Sequence, residues 1–249
     1  MPDPAPDSGP NPGPPILKIS DLEVSYGDFQ VIWGVSLEVR PGEVVSLMGP
    51  NGSGKSTIFN TISGLLKPKA GTIEFDGHRI DRMPSHKIVS LGLAHVLERH
   101  RVFPYLSVRQ NLWLGGYNPQ ARPHREETLE QVFDQFPRLR ERHKQLAHTL
   151  SGGEQQMLAF GRGLMSRPRL LMIDEPFLGL APNIAKEMME IIAGINANGV
   201  SVLFIEQNVQ VALSMSDRAY ILESGRLVLT GEPDELLNSS EVKRIFLGG

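Results

Sequence analysis

A glycine-rich stretch, Gly49–Thr57, has the residue types needed to hold a phosphorylated ligand. It reads GPNGSGKST and fits the pattern G-x-x-x-x-G-K-[ST] at Gly49, Gly54, Lys55 and Ser56. Glycines let backbone N–H groups approach phosphate oxygens, and the helix that follows adds positive potential at its amino end. Lys55 can then reach the outer phosphates, and Ser56 is available to bind Mg²⁺. We therefore predict a site for a nucleoside triphosphate.

The segments on either side favour a phosphate loop over a glycine-rich turn that matches by accident. Val44–Met48 (VVSLM) is typical of a buried strand, and Thr57–Leu66 has apolar residues at helical spacing. A strand, a glycine-rich turn and a helix in this order form the context that the pattern requires. The other loop positions predicted to bind the ligand are Pro50, Asn51, Gly52, Ser53 and Thr57.

A second glycine-containing segment, Leu150–Gln156, reads LSGGEQQ and opens another predicted helix. Ser151 and Glu154 have the spacing of a capping box, which satisfies N–H groups at a helix start. A cap does not require Gly152 and Gly153, because each glycine weakens a helix by roughly 1 kcal/mol relative to alanine. Bare N–H groups that approach the phosphate of another molecule are the more economical interpretation.

Two adjacent carboxylates, Asp174 and Glu175, end a buried strand in the segment RLLMIDEP. Open α/β sheets bind ligands at the carboxyl ends of their strands. Asp174 is the expected Mg²⁺ partner of Ser56, and Glu175 could accept a proton from the attacking water or orient it. Seen alone, the pair could equally be two solvated loop acids. The phosphate loop in the same chain favours the catalytic interpretation.

The elements that must position these residues alternate along the chain. The first third is rich in strands with one helix, and the last third alternates strand and helix, which is typical of a mostly parallel sheet. Residues 109–150 are predicted to be helical. Their interspersed charges indicate a solvated helix face rather than a nucleic-acid patch, since no aromatic ladder accompanies them. A single terminal helix is predicted over residues 233–247.

Composition excludes several kinds of site. The chain has 249 residues, a net charge of −3 and no cysteine, which rules out disulfides, thiolate zinc sites and thiol nucleophiles. The histidines lack the HExxH spacing, so a zinc enzyme is disfavoured. No apolar run approaches the roughly 18 to 20 residues of a membrane span. Residues 1–15 lack the features of a signal peptide and are predicted to be a disordered, proline-rich leader.

The order of phosphate loop, LSGGEQQ and LLMIDEP resembles the ATP-binding subunits of ABC transporters. The segments NGSGKSTIFNTISGL, RVFPYLSVRQNL, EPFLGLAP and IEQN are similar to the ATPase subunits of branched-chain amino acid importers and their amide or urea relatives. The resemblance covers residues 16–249 as a single domain and implies an α/β fold of the P-loop NTPase, ABC ATPase type. It implies a mixed-sheet core at about 16–97 and 168–249, with an antiparallel β subdomain, and an inserted helical subdomain at about 98–167.

The resemblance also implies an ATPase in which two subunits bind head to tail, with each ATP between the phosphate loop of one and the LSGG segment of the other. By position, Tyr26 would stack on adenine, and Lys55 with the loop amides would hold the β- and γ-phosphates. Ser56 and Asp174 would hold Mg²⁺, and Glu175 would polarise the water. The γ-phosphate of the partner subunit would be contacted by Ser151, Gly152 and Gly153.

Two positions depart from the broader family pattern. Glu98 stands where most relatives carry a glutamine that senses Mg²⁺ and the membrane subunit, and Gln207 stands where they carry the γ-phosphate histidine. The importer subgroup often shows both changes, which strengthens the resemblance to it. Gln207 cannot carry positive charge, and Glu98 would add negative charge near the phosphates.

We therefore expect a peripheral ATPase subunit on the cytoplasmic face of the cell membrane that powers an importer of branched-chain or related amino acids. An importer of urea or short amides is the close alternative. A soluble regulatory ABC-type ATPase is a more distant one, and a P-loop phosphotransferase would have no use for LSGGEQQ. The expected partners are a second ATPase subunit (a copy or a paralogue), polytopic permease subunits and, indirectly, a substrate-binding protein, but not nucleic acid.

Overall fold

The computed structural model describes residues 13–97 and 102–247. The strands in these residues are β1 (Leu17–Tyr26), β2 (Phe29–Val39), β3 (Val44–Met48), β4 (Ala70–Phe75), β5 (His78–Arg79), β6 (Leu93–Val96), β7 (Leu170–Asp174), β8 (Ser201–Glu206), β9 (Arg218–Glu223) and β10 (Arg226–Gly231). The α-helices are α1 (Lys55–Ile62), α2 (Ser85–Ser90), α3 (Val108–Gly115), α4 (Arg125–Gln135), α5 (Pro137–Glu141), α6 (Gly152–Leu164), α7 (Pro182–Ala197), α8 (Val209–Met215), α9 (Pro233–Asn238) and α10 (Ser240–Leu247).

Two earlier predictions fall at the gaps in this description. The predicted leader lies outside the described residues except for residues 13–15, and Glu98 lies outside them altogether. Among the described residues, no helix has both the length and the apolar character that crossing a bilayer requires.

A six-stranded sheet with the order β10-β9-β3-β8-β7-β6 forms the centre of the fold. The five strands from β9 to β6 are parallel, and β10 pairs with β9 in the antiparallel direction. Every residue of β3, β7 and β8 is buried, as expected for parallel strands covered on both faces. Because these strands are parallel, their carboxyl ends lie at one edge of the sheet, where the phosphate loop leaves β3.

An antiparallel sheet with the order β2-β1-β4-β5 packs beside the phosphate-loop helix α1. One hydrophobic cluster contains Leu17 and Val24 of β1, Leu47 of β3 and the fully buried Phe59 of α1. The helix is thus packed among strands of both sheets. Its burial on several sides fixes the direction in which its amino end faces.

The residues between β6 and β7 form the helical part of the fold, with α3, α4, α5 and α6 around a second cluster. Gly161 of α6 allows close packing, since a Cβ there would lie 2.9 Å from side-chain atoms of Leu112 and Val132. The structure therefore has the expected α/β fold class: a mixed sheet, an antiparallel sheet and inserted helices.

The continuous helical prediction for residues 109–150 was wrong in detail. The segment is broken after Gly115 and again at Phe136, which has φ −126° and ψ 73°. Pro137 is the first residue of α5, and a proline disfavours helical geometry in the residue before it. The proline therefore ends α4 by a local steric effect, although the pattern of charged and apolar residues continues past that point.

The C-terminal region also differs from the prediction. Ser239 is extended (φ −67°, ψ 132°) and separates α9 from α10, so the terminal helix predicted over 233–247 is two helices. Sequence analysis also missed β10. This edge strand alternates exposed and half-buried residues and follows a turn at Gly225, which has φ 76°.

Candidate nucleotide-binding site

The phosphate loop follows β3 and ends in the first turn of α1. Glycine is required at two of its positions by close contacts. A Cβ at Gly49 would collide with the backbone oxygen of Leu222, and a Cβ at Gly54 would collide with the side chain of Ile32. Gly54 also has φ 108°, a conformation that L residues with a side chain rarely adopt. The loop is therefore held against the sheet by contacts that leave no room for side chains.

Lys55 lies across this loop. Its Nζ donates hydrogen bonds to the backbone oxygens of Gly49 at 2.7 Å and Pro50 at 3.0 Å. Burial lowers the pKa of Lys55, whereas the negative charges of Glu175, Asp174 and Glu206 oppose that shift. Phosphate oxygens are stronger acceptors for an ammonium than neutral carbonyls. The lysine is thus placed at the loop with two weak partners that a phosphate can replace.

A cleft of about 530 Å³ opens in front of the loop. Its walls bring Tyr26, Glu175 and Gln207 to the phosphate-loop residues, although they come from β1 and from the ends of β7 and β8. Tyr26 is half exposed, and its hydroxyl lies 3.4 Å from Oγ1 of Thr57. The predicted loop residues that line the cleft are Asn51, Gly52, Gly54, Lys55, Ser56 and Thr57, whereas Gly49, Pro50 and Ser53 do not line it.

Glu175 and Gln207 are in direct contact at the edge of the sheet. The Nε2 of Gln207 donates a hydrogen bond to Oε1 of Glu175. The backbone N–H of Glu175 donates to the oxygen of Ile205 at 3.2 Å, and the residue has φ 50°. This left-handed conformation turns the chain sharply just after β7. One oxygen of the Glu175 carboxylate is thus held by an amide, and the other can accept from water.

Asp174 and Ser56 are the two residues predicted to bind Mg²⁺, and each has a side-chain oxygen. Asp174 ends β7 and is buried, and Ser56 is exposed in the first turn of α1. Among the described residues, no group of three or more His, Cys, Asp or Glu side chains could hold a metal alone. Mg²⁺ commonly uses one or two protein oxygens together with substrate phosphates and water. The chemistry of Asp174 and Ser56 fits such a shared ion.

The LSGG segment does not line the cleft. Ser151 caps α6, and its capping box with Glu154 is present as predicted. Ser151 and Gly152 are exposed, and Gly153 lies close to Ile184, whose Cγ2 would be 3.0 Å from a Cβ at that position. Within one chain, the structure therefore does not bring Ser151, Gly152 and Gly153 to the phosphate loop.

Residues 32–178 match the protein family described as "ABC transporter". The chain belongs to the ABC transporter family. It is 43% identical over 234 residues to the high-affinity branched-chain amino acid transport ATP-binding protein BraG of Pseudomonas aeruginosa, covering 94% of this chain and 100% of that protein. It is 34% identical to the probable branched-chain amino acid transport ATP-binding protein LivF of Archaeoglobus fulgidus, covering 94% and 99% of the two chains.

A solved structure gives the same assignment for the fold. The ADP conformation of an ATP-binding cassette of an ABC transporter superposes with a TM-score of 0.81 at 28% identity, covering 94% of this chain and 99% of that one. The resemblance drawn from the three motifs is confirmed, and so is the expectation of an ABC-type ATPase that binds nucleotide.

Sequence analysis missed Val31 and Leu178, which line the cleft, and Glu206, whose charge acts on Lys55. Glu206 ends β8, is buried, and accepts hydrogen bonds on Oε1 from the N–H groups of Gln207 at 2.9 Å and Asn208 at 3.0 Å. Burial raises its pKa, and so does Glu175, while the two N–H groups and Lys55 oppose the shift. Its Oε2 has no hydrogen-bond partner among the described residues. An acid at the end of a strand beside β3 was the signal available in the sequence.

Proposed function

We propose that this chain is the ATP-hydrolysing subunit of a membrane importer for branched-chain or related amino acids. The observation that carries the chemistry is the cleft in which the phosphate loop, Glu175 and Gln207 meet. The cargo is inferred from the names of the relatives, since a cytoplasmic ATPase need not touch what the permease carries. A urea or short-amide importer would use the same cleft.

Nucleotide binding is assigned to the phosphate loop and Tyr26. The backbone N–H groups of residues 49–57 and the ammonium of Lys55 bind the β- and γ-phosphates, with the amino end of α1 adding positive potential. The half-exposed ring of Tyr26, whose hydroxyl lies near Thr57, stacks on the adenine at the cleft's edge.

Ser56 and Asp174 are the residues that would hold Mg²⁺ with the phosphates. Bound there, the ion would neutralise charge that develops on the phosphate oxygens. Glu98 is proposed to lie near the same phosphates by its position in the family pattern, and it falls outside the described residues.

Hydrolysis is assigned to Glu175, Gln207 and Lys55. Glu175 accepts a hydrogen bond from the attacking water and polarises it, while the amide of Gln207 keeps the carboxylate in one orientation. The ammonium of Lys55 stabilises negative charge on the transferred phosphoryl group. Because Gln207 is neutral, it orients Glu175 by a hydrogen bond without placing a positive charge beside the carboxylate.

The second half of each site is assigned to Ser151, Gly152 and Gly153 of another ATPase subunit, either a copy of this chain or a paralogue. The exposure of Ser151 and Gly152 at the amino end of α6, away from the cleft of their own chain, supports this arrangement. A phosphate bound there would receive N–H groups and the positive end of the helix dipole.

Association with polytopic permease subunits is supported by an apolar groove of about 560 Å³, bordered by β6, α3 and α6. Phe103, Leu114 and Tyr117 line it and are 49%, 42% and 79% exposed. Exposed apolar side chains that cluster at a groove are typical of an interaction surface. We assign the permease to this groove, which places the chain peripherally at the cytoplasmic face of the membrane; a substrate-binding protein would act through the permease.

The catalytic assignment is tested by Glu175→Gln. The amide keeps the shape of the side chain and its contact with Gln207 but accepts a proton poorly, so ATP should still bind while hydrolysis falls at least about 100-fold. The bound ATP should then trap a dimer on size exclusion. Glu190→Gln, on the exposed face of α7, is the matched control and should retain full turnover. Unchanged turnover in Glu175→Gln would show that another group positions the water.

The transporter assignment is tested by purification from detergent extracts of the native host. The chain should be recovered with two polytopic membrane proteins. Recovery with ribosomes instead would contradict the proposal and favour a regulatory ABC-type ATPase. Transport assays in vesicles that contain the complex, with leucine and urea offered separately, would then distinguish the two classes of cargo.

A further inference from the structure

The amino end of α6 is tied to the residue after α5 by contacts among Arg142, Glu154 and Ser151. Glu154 Oε2 accepts hydrogen bonds from the backbone N–H and from the hydroxyl of Ser151, both at 2.9 Å. Glu154 Oε1 lies 2.9 Å from Nε of Arg142. The Glu154 side chain is 10% exposed, and Arg142 reaches it from the surface. One buried carboxylate is therefore shared between the helix cap and a surface cation.

Glu154 carries a negative charge close to where the partner's γ-phosphate is proposed to bind. Burial raises its pKa, but the hydrogen bonds from Ser151 and the charges of Arg142 and Arg138 outweigh that effect and lower it below the usual range. An ionised acid in the first turn of α6 repels an arriving phosphate. Arg138 is engaged with Glu187 at 3.6 Å, so Arg142 is the cation in direct contact with Glu154.

The same contacts direct the Ser151 hydroxyl proton. The hydroxyl donates to Glu154, and a hydroxyl has a single proton to donate. A γ-phosphate oxygen must draw that proton away from Glu154, while the backbone N–H of Ser151 can stay bonded to the carboxylate. Because Arg142 shares the charge of Glu154, it weakens the carboxylate as a competitor for the proton.

We propose that Arg142 is a positioning residue of the composite ATP site. It neutralises Glu154 and so releases the Ser151 hydroxyl, and the amino end of α6, to the γ-phosphate held by a second subunit. This role rests on the proposed function, because the γ-phosphate belongs to the ATP that a second subunit of the dimer binds. Arg142 acts through Glu154 without touching the nucleotide. It should therefore become dispensable once Glu154 has lost its charge.

The test compares ATP-driven dimerisation among chains that all carry Glu175→Gln, measured by sedimentation with Mg²⁺ and ATP. Arg142→Ala should weaken dimerisation roughly tenfold, since each of the two sites gains an uncompensated charge. In chains that carry Glu154→Gln, the same Arg142→Ala change should alter dimerisation by less than about twofold. ATP binding by the monomer, followed with a fluorescent analogue, should be the same in all of them.

Arg140→Ala is the matched control, because Arg140 lies two residues earlier, in α5, and pairs with the exposed acids Glu130 and Asp134. It should leave dimerisation unchanged. Arg142→Lys keeps the positive charge, so it should retain most of the ATP-driven dimerisation that Arg142→Ala loses. If Arg142→Ala proves unfolded by circular dichroism, Arg142→Gln takes its place and keeps an N–H donor without the charge.

Two results would overturn the role of Arg142: no effect of its substitution on dimerisation, or an equal loss with and without Glu154→Gln. A different result tests the proposed function itself. If chains with Arg142 intact bind ATP but form no dimer, a composite site built from two copies of this chain is wrong, and the role of Arg142 in it is refuted as well. The monomer binding measurement separates these cases from a defect of the phosphate loop.

Discussion

At the scale of single residues, Gln207 and Glu175 meet in the cleft and hold each other in place. The amide of Gln207 donates to the carboxylate that is proposed to polarise water, and its own backbone N–H is held by Glu206. A chain of hydrogen bonds therefore runs from the end of β8 to the end of β7. Orientation of a catalytic group within such a chain matters because a misplacement of about 1 Å can cost 100-fold in rate.

Loss of the Gln207 amide should therefore lower the rate of hydrolysis more than it weakens binding. Gln207→Ala should reduce kcat by about 10- to 100-fold, with little change in KM for ATP, because Lys55 and the loop still hold the phosphates. Steady-state ATPase assays measure both constants. Asn208→Ala, which removes the cap of α8 but keeps Gln207, is a control for damage to the turn. A rise in KM without a fall in kcat would contradict the positioning role.

Glu206 should make stability depend on pH. Its pKa is raised in the folded chain, so folding favours the protonated carboxyl. The cost of burying its charge is absent below the pKa of the unfolded chain and fully present above the raised pKa of the folded chain. Glu206→Gln removes this cost. The Tm of the variant minus that of the parent chain should therefore be larger at pH 8 than at pH 5. Differential scanning fluorimetry, with exposed Glu190→Gln as a flat control, measures the difference.

At the scale of elements, the loop between β3 and α1 depends on contact with β9. Gly49→Ala should abolish nucleotide binding and lower the free energy of unfolding by about 2 kcal/mol or more, because the new Cβ would strike the backbone of Leu222. Gly194→Ala in α7 is the matched change. A Cβ there meets nothing within 4 Å, so helix propensity should stabilise the chain by up to about 1 kcal/mol. Chemical denaturation measures the free energy of unfolding of each variant, and ATP titration measures its affinity for nucleotide. A normal ATP affinity in Gly49→Ala would show that the loop can move away.

The phosphate loop and the two strand-end acids could be predicted because local residue types determine them. The break at Phe136 could have been inferred from Pro137, and the break at Ser239 from its serine, whose Oγ accepts from the N–H of Val242 in α10. The contact between Gln207 and Glu175 could not be predicted, because it requires β7 and β8 to be neighbours in register, and topology decides that. Residue propensities and motifs thus predicted the individual site residues, whereas the pairing of distant strands determines which of these residues are in contact.

At the scale of the whole molecule, the proposed function gives the chain two surfaces that face different partners. The cleft and the amino end of α6 serve a second ATPase subunit, and the apolar groove serves the permease in the proposed function. The groove is lined by β6 and α6, and α6 begins at Gly152, next to Ser151, so one helix borders both surfaces. A substitution in the groove can therefore weaken permease binding without weakening dimerisation only if it leaves the backbone of α6 undisturbed.

Tyr117→Ser combined with Phe103→Ser meets that condition, because both side chains are exposed and neither residue belongs to α6. The pair should lower recovery of the permease from detergent extracts at least about fivefold, since exposed aromatic side chains supply much of the binding energy of an interface. In the Glu175→Gln background it should leave ATP-driven dimerisation intact. Leu237→Ser, an exposed apolar position on α9, is the control and should not change permease recovery. Undiminished recovery with the aromatic pair would place the permease elsewhere, whereas simultaneous loss of the dimer would show that the two surfaces are not independent.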